Sequence, residues 1–248
     1  MNFIDFHTHL DWYEDEEQLF LQLKAFDGKI ISASVDDKSY AKNLKIANKA
    51  KALGYSVEII PTFGIHPQKT LTVPDNLAVF NELCDSSKII GEIGMDFCWY
   101  KEAGPVQQEK VFRYFLEHCN KTGKYCVIHT KDAEQQIADI LTDYPNAKPI
   151  IHWYDGPENI FKEFVKRGYY QTFGCQTVRS KHIQSLLKQL PLDLLLAETD
   201  NPTAEPWLGG TDNSVQLIQR VYKEIAAVLN LPLNSVVNQI NKNAASIL

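Results

Sequence analysis

The sequence predicts an α/β protein of the TIM-like (β/α)8 barrel type, one domain spanning residues 1–248. Three observations predict it. Short β-rich runs recur eight times along the chain, with helical periodicity in the stretches between them. Most of the runs are continuously apolar rather than alternating, which suits strands covered on both faces, as in a parallel sheet. The length of 248 residues is near the ~250 typical of such a barrel.

The first strand is expected at Phe3–Phe6, with a helix over Glu14–Phe26. Ile30–Ser34 follows as the second strand, with a helix over Ser39–Leu53. Ile59–Phe63 and Lys88–Ile93 read as strands three and four. A helix over Val106–Thr122, with Pro105 in its opening turn, leads to strand five at Tyr125–His129. Asp132–Asp143 reads as helix, then Pro149–His152 as strand six. Pro157, after Gly156, opens a helix to Lys166, ahead of strand seven at Tyr169–Phe173. His182–Gln189 is helical before strand eight at Leu194–Glu198, and helices near Ser214–Leu229 and Leu233–Ile247 close the chain. Gly54, Gly123 and Gly168 each fall where a helix gives way to a strand, the position that favours a left-handed residue. Such alternation suits a closed barrel or a doubly wound sheet. The first strand is followed by no Gly-x-Gly-x-x-Gly turn, which disfavours dinucleotide binding.

Composition narrows the function. Apolar residues at 44% and charged residues at 23% can fill one sizeable core. The net charge of −6 argues against a protein that coats DNA passively, since phosphate contacts need Lys and Arg. It leaves room for an enzyme that meets phosphates through bound cations. The five cysteines are scattered, odd in number and form no Cys-x-x-Cys pair, so a disulfide framework is not expected and a reducing compartment is. With no signal-peptide pattern and no apolar run of ~18 residues, the expectation is a cytoplasmic protein without a membrane partner.

In an α/β barrel the chemistry sits at the C-terminal ends of the strands. Strand one delivers His7 and His9, strand three His66, strand four Glu92 followed by Asp96, strands five and six His129 and His152, and strand eight Glu198 and Asp200. Five of the seven histidines thus sit at strand ends, and only His118 and His182 fall in helical stretches. Residues i and i+2 of a strand face one side, so His7 and His9 can hold one cation from one strand. Neutral imidazoles suit zinc or manganese, and carboxylates add harder ligands. Glu92 is flanked by Ile-Ile-Gly and Ile-Gly, where a buried carboxylate is costly unless paired or metal-bound. Asp200 can ligate a cation and take a proton from water. Each residue alone has a plainer reading: a hydrogen-bonded core histidine, a core ion pair, a loop cap. The set at five strand ends points to a metal site. Trp12, Trp99, Trp153 and Tyr154 also follow strand ends, where they can stack on a base or pack the loops.

With these segments in view, the chain resembles the TatD-like metal-dependent hydrolases of the amidohydrolase superfamily. The matching motifs are Phe-Ile-Asp-Phe-His-Thr-His-Leu-Asp (3–11), Phe-Gly-Ile-His-Pro (63–67), Gly-Glu-Ile-Gly-Met-Asp (91–96), Val-Ile-His-Thr-Lys-Asp-Ala (127–133), Ile-Ile-His-Trp (150–153) and Ala-Glu-Thr-Asp-Asn-Pro (197–202). Gln107 or Gln108 resembles the family's Gln-x-x-x-Phe segment. The resemblance implies two divalent metal ions, Mg2+, Mn2+ or Zn2+. His7 and His9 would bind the first, His129 and His152 the second, with Glu92 between them and Asp200 on the first. It implies phosphodiester hydrolysis with a nucleic acid substrate, DNA above all, in the manner of 3′-to-5′ exonucleases on single strands, with Asp200 and Glu92 catalytic. His66 would lie near the substrate; Trp153 and Tyr154 are expected to contact it too, from their place after strand six rather than from the resemblance. Three loops depart from the family's pattern: Phe97–Lys101, Trp153–Gly156 and Gly209–Ser214. A monomer or weak oligomer is expected. The rival enzyme reading is a lactonase, esterase or amidase on the same scaffold, acting on a small molecule. A barrel kept as a scaffold is a third, and metal content separates it.

Overall fold

The computed structural model describes all residues, Met1–Leu248. The chain opens with β1 (Phe3–Thr8), α1 (Glu16–Lys24), β2 (Gly28–Ser32), α2 (Asp37–Ala52), β3 (Glu58–Pro61) and α3 (Asn81–Ser86). Then come β4 (Ile90–Asp96), α4 (Gly104–Thr122), β5 (Tyr125–Lys131), α5 (Glu134–Ile140), β6 (Lys148–Ile151) and α6 (Glu158–Lys166). The last third holds β7 (Tyr170–Phe173), α7 (Lys181–Gln189), β8 (Leu195–Ala197), α8 (Ala204–Trp207), α9 (Leu217–Leu229) and α10 (Leu233–Ala245). All eight expected strands are present. The short helices α3 and α8 are additions to the sequence reading. No helix is long and apolar enough to cross a membrane.

The fold divides into two compact units, one of Met1–Ser32, Lys42–Ile60 and Gln171–Leu248, the other of Ala33–Ala41 and Pro61–Tyr170. In the first, β1 and β2 pair in parallel from Phe3↔Gly28 to Asp5↔Ile30, and the register shifts before Thr8↔Ser32. β7 and β8 pair in parallel from Gln171↔Leu195 to Phe173↔Ala197. Two polar clasps hold helices onto these strands. The Tyr222 hydroxyl of α9 accepts from Ile4 N at 3.2 Å and donates to Ile4 O at 3.1 Å, while its ring meets Phe3 edge-on at 5.1 Å. Asn243 of α10 donates its amide to Leu192 O and Leu195 O at 2.7 and 2.8 Å. Both side chains are buried, so each unmade bond would leave a dry polar group at a cost of ~1–3 kcal/mol.

In the second unit, β4, β5 and β6 pair in parallel, with Ile90↔Cys126 through Asp96↔Lys131 and Tyr125↔Lys148 through Ile128↔Ile151. Gly94 lies opposite His129, and a Cβ there would stand 2.1 Å from the His129 carbonyl oxygen. Only glycine lets β4 approach so near. α4 buries Val111, Phe112, Phe115, Leu116 and Cys119, an i, i+1, i+4, i+5, i+8 face of one helix. Phe115 joins Phe63 and Phe80 in an aromatic cluster with centroids 5.7–6.4 Å apart. The helix stops at Gly123, left-handed at φ 66°. The next residue, Lys124, donates its ammonium to the carbonyls of Cys84, Asp85 and Ser87, which close α3.

Candidate metal centre

The first unit gathers His7, His9 and Asp200. His7 lies within β1 and His9 just beyond it, so strand geometry sets their spacing. Asp200 follows β8, left-handed at φ 52°, and its N–H donates to His7 O at 2.9 Å. His9 N donates in turn to Asn201 O at 2.8 Å, so both turns are stitched by backbone. Asp200 Oδ1 stands 3.6 Å from His7 Nε2 and 3.3 Å from His9 Nε2. Both imidazoles are buried, while the Asp200 side chain is 21% exposed. Trp12 stacks on His9 at 3.9 Å with planes 7° apart, which fixes the ring's orientation.

The second unit gathers Glu92, His129, His152 and His66 around one carboxylate oxygen. Glu92 Oε1 lies 2.9 Å from His129 Nδ1, 3.0 Å from His152 Nε2 and 3.5 Å from His66 Nε2. Glu92 is 2% exposed. It is held by its own N–H donating to Ser34 O at 3.0 Å. His66 Nδ1 accepts from Gln68 N at 3.2 Å, which leaves Nε2 as the atom facing Glu92. His152 begins just past β6, while Glu92 and His129 lie inside β4 and β5 rather than at their ends. His66, expected beside the substrate, lies at the edge of this group of ligand-type side chains.

The donor sets fit a first-row divalent cation. Ligand atoms of His7, His9 and Asp200 all lie within 4.8 Å of one another, as do those of His66, Glu92 and His129. A cation binding N and O at ~2.1 Å in tetrahedral array spans donors ~3.4 Å apart. The observed 2.9–3.6 Å separations match that edge.

Asp96 is the functional residue that sequence reading names without assigning a role. Its Oδ2 lies 2.9 Å from His129 Nε2, so His129 is held between two carboxylates. Burial would lower the His129 pKa, but the hydrogen bonds that Asp96 and Glu92 accept from the ring outweigh it and hold the imidazole above its ordinary value. Burial likewise would raise Asp96, and His129 with the backbone donors outweighs it and keeps the carboxyl below the usual range. Asp96 Oδ1 accepts from Cys98 N at 2.9 Å, Trp99 N at 2.6 Å and Tyr100 N at 3.3 Å. Gln108 completes the arrangement. It accepts from Asp96 N at 2.6 Å and donates to Asp96 O and Tyr100 O at 2.8 Å. Of the two glutamines that sequence reading leaves open, Gln108 is therefore the one built into the site, while Gln107 donates to Thr70 O. The missed signal is spacing: Asp96 is four positions after Glu92, so one strand turns both to one face. Asp5, two before His7, escapes sequence reading too. Buried, it accepts from Thr199 N and Oγ1 at 3.0 and 2.6 Å, and burial lifts its carboxyl to about 8.

The two aromatic residues expected beside the substrate, Trp153 and Tyr154, are both buried. Tyr154 is 2% exposed, donates its hydroxyl to Pro157 O at 2.7 Å and packs on Phe161 and Phe164 at 5.7 and 5.9 Å. Trp153 is 6% exposed. The Tyr154 ring serves the packing of the loop that follows β6.

A chain of eight strand–helix units that places imidazoles and carboxylates in two compact clusters near its strand ends defines a metal-dependent hydrolase. The chain belongs to the TatD related DNase family, whose model matches residues 4–248. It is 27% identical over 98% of its length, and 95% of the relative's, to an uncharacterized metal-dependent hydrolase of Methanocaldococcus jannaschii. It is 25% identical to the human deoxyribonuclease TATDN3, over 82% of this chain and 79% of that one. Its fold is the (β/α)8 barrel. A TatD homolog of Escherichia coli K12 superposes with a TM-score of 0.85 at 21% identity, over 99% and 97% of the two chains. An uncharacterized TIM-barrel protein of Bordetella bronchiseptica superposes with 0.62 at 13% identity, over 100% and 98%.

Proposed function

We propose that this protein is a two-metal phosphodiesterase that hydrolyses DNA, acting on single strands from the 3′ end. The observation that carries the proposal is the pair of clusters, His7–His9–Asp200 and Glu92–His129–His152, each with donor atoms at cation-spanning distances. Each cluster takes one divalent ion, Mg2+, Mn2+ or Zn2+. When bound, the ions supply Lewis acidity, polarising the attacking water and the phosphoryl oxygens. The chain's own residues do the rest. The buried imidazoles of His7, His9, His129 and His152 fix where charge is stabilised and exclude bulk water. Asp200, the more exposed carboxylate of its cluster, meets incoming water and takes its proton. Glu92 holds three imidazoles to one point, and Asp96 sets the tautomer of His129 from behind. The name of the human relative, a deoxyribonuclease, supports a nucleic acid as substrate.

The test is incubation of metal-stripped protein with Mg2+, Mn2+ or Zn2+ and end-labelled single- and double-stranded DNA, beside a His129→Ala control and a panel of lactones and small esters. Metal-dependent shortening of the single strand from its 3′ end, absent in His129→Ala, is expected. Turnover of lactones with DNA left intact would overturn the nuclease reading and favour the small-molecule hydrolase.

A further inference from the structure

We propose that Trp99 is a stacking platform for the unpaired base next to the scissile phosphate, held in place by Lys131; the inference rests on the phosphodiesterase reading and names what that site selects. Of the aromatic residues that follow strand ends, Trp153 and Tyr154 are buried, and Trp12 lies flat on His9. Trp99 is different. It is 45% exposed, although its ring centroid is only 6.3 Å from that of His129, at a tilt of 54°. An indole left half in water beside a cluster of ligand-type groups offers a flat apolar face where a substrate must pass.

The platform is built rather than loose. The Trp99 backbone N–H donates to Asp96 Oδ1 at 2.6 Å, the same carboxylate that holds His129. Lys131 sits two residues after His129 on β5, so the strand turns both side chains to one face. The Lys131 ammonium lies 5.4 Å from the indole centroid and 2.6 Å from Asp155 Oδ1. Lys131 itself is buried. A cation against the electron-rich indole fixes the ring by cation–π attraction. Every base has a π-face, so such a platform accepts any base, but only one that is not stacked and paired in a duplex. Preference for single strands then follows from Trp99 rather than from the cations.

Two p-nitrophenyl phosphodiesters separate the ideas, one bearing thymidine and one bearing only a methyl group, assayed with Mn2+-loaded full-length protein. The wild type is expected to favour the thymidine ester by about tenfold in kcat/KM, in line with one base–aromatic stack. Trp99→Ala should abolish that preference by raising KM for the thymidine ester. Trp99→Tyr should restore part of it, and Lys131→Met, which keeps the indole but removes the cation that fixes it, should weaken it. Equal slowing of both esters in Trp99→Ala, or no preference in the wild type, would overturn the proposal. A second readout needs no turnover. Thymidine 5′-monophosphate should quench indole fluorescence and 2-deoxyribose 5-phosphate should not, and the quench should vanish in Trp99→Leu. If neither ester is hydrolysed but this quench is seen, the phosphodiesterase reading fails and the base platform stands. Quenching by both ligands, or a quench unchanged in Trp99→Leu, refutes the platform whatever the enzyme hydrolyses.

Discussion

Replacing Asp96 by Asn would show how far a residue that touches no cation controls cation binding. Asp96 Oδ2 stands 2.9 Å from His129 Nε2 and Glu92 Oε1 2.9 Å from Nδ1; a cation that displaces the proton from Nδ1 would leave the Nε2 proton held by Asp96. An asparagine amide at that position offers N–H to N–H, and the imidazole must shift its proton to Nδ1 to make a bond. The charge-assisted hydrogen bond lost is worth ~1.5–3 kcal/mol, or roughly 10–150-fold in an equilibrium constant. Outer partners of metal-bound histidines elsewhere are worth about 10–100-fold. The amide oxygen of the substituted side chain can still accept from Cys98, Trp99 and Tyr100, so the loop keeps its three backbone bonds. Metal-stripped Asp96→Asn should therefore stay folded and melt about 3–12 °C below the wild type, at about 2–4 °C per kcal/mol for a chain of this size. Its Mn2+ or Zn2+ affinity, measured by chelator competition, should fall by the stated factor. Wild-type affinity with an intact fold would show that Asp96 does not set the His129 tautomer.

Three other outcomes follow from the same geometry. Gly94→Ala puts a methyl 2.1 Å from the His129 carbonyl oxygen, so β4 and β5 must part; a loss of about 3 kcal/mol or more is expected, read as a fall in melting temperature or as insoluble protein. Tyr154→Phe should keep full activity and cost about 1 kcal/mol in urea unfolding, since it removes only the bond to Pro157 O; a large rise in KM would reinstate Tyr154 as a substrate contact. Metal affinity should climb with pH through the raised His129 pKa, because below that pKa a proton competes for the ring, and should level off above it; calorimetry in buffers of different ionisation enthalpy would detect the proton released, and an affinity flat with pH would contradict the two-carboxylate clasp.

The strands are legible because covering on both faces writes them as unbroken apolar runs, and each lies within a few residues of its expected place. Two of the strand ends fall short for one reason. Reading a polar residue as the end of a strand stops β4 before Asp96 and β5 before Lys131, yet the ladder continues through Gly94↔His129 and Asp96↔Lys131. Those polar side chains have partners of their own, so nothing forces the chain to leave the sheet. Helix α3 lacks a sustained helical period, being six residues after a 3-10 turn at Leu77–Phe80, and pattern reading passes over it. The histidines, Glu92 and Asp200 are legible from type and place alone. The role of Asp96, the turning of His66 toward Glu92 and the burial of Trp153 and Tyr154 are not, because each depends on which neighbour a side chain finds in three dimensions.

The Gln108 amide grips the chain at Asp96 and again at Tyr100, and thereby closes a short arch whose two feet are fixed from a helix behind it. What lies between the feet is free to be rewritten. The bonds from residues 98–100 to Asp96 use backbone N–H groups, so side chains at 97–99 can change character while the arch keeps its hold on Asp96. A lineage built this way diversifies at the crown of the arch, and a designer seeking a new substrate would begin there.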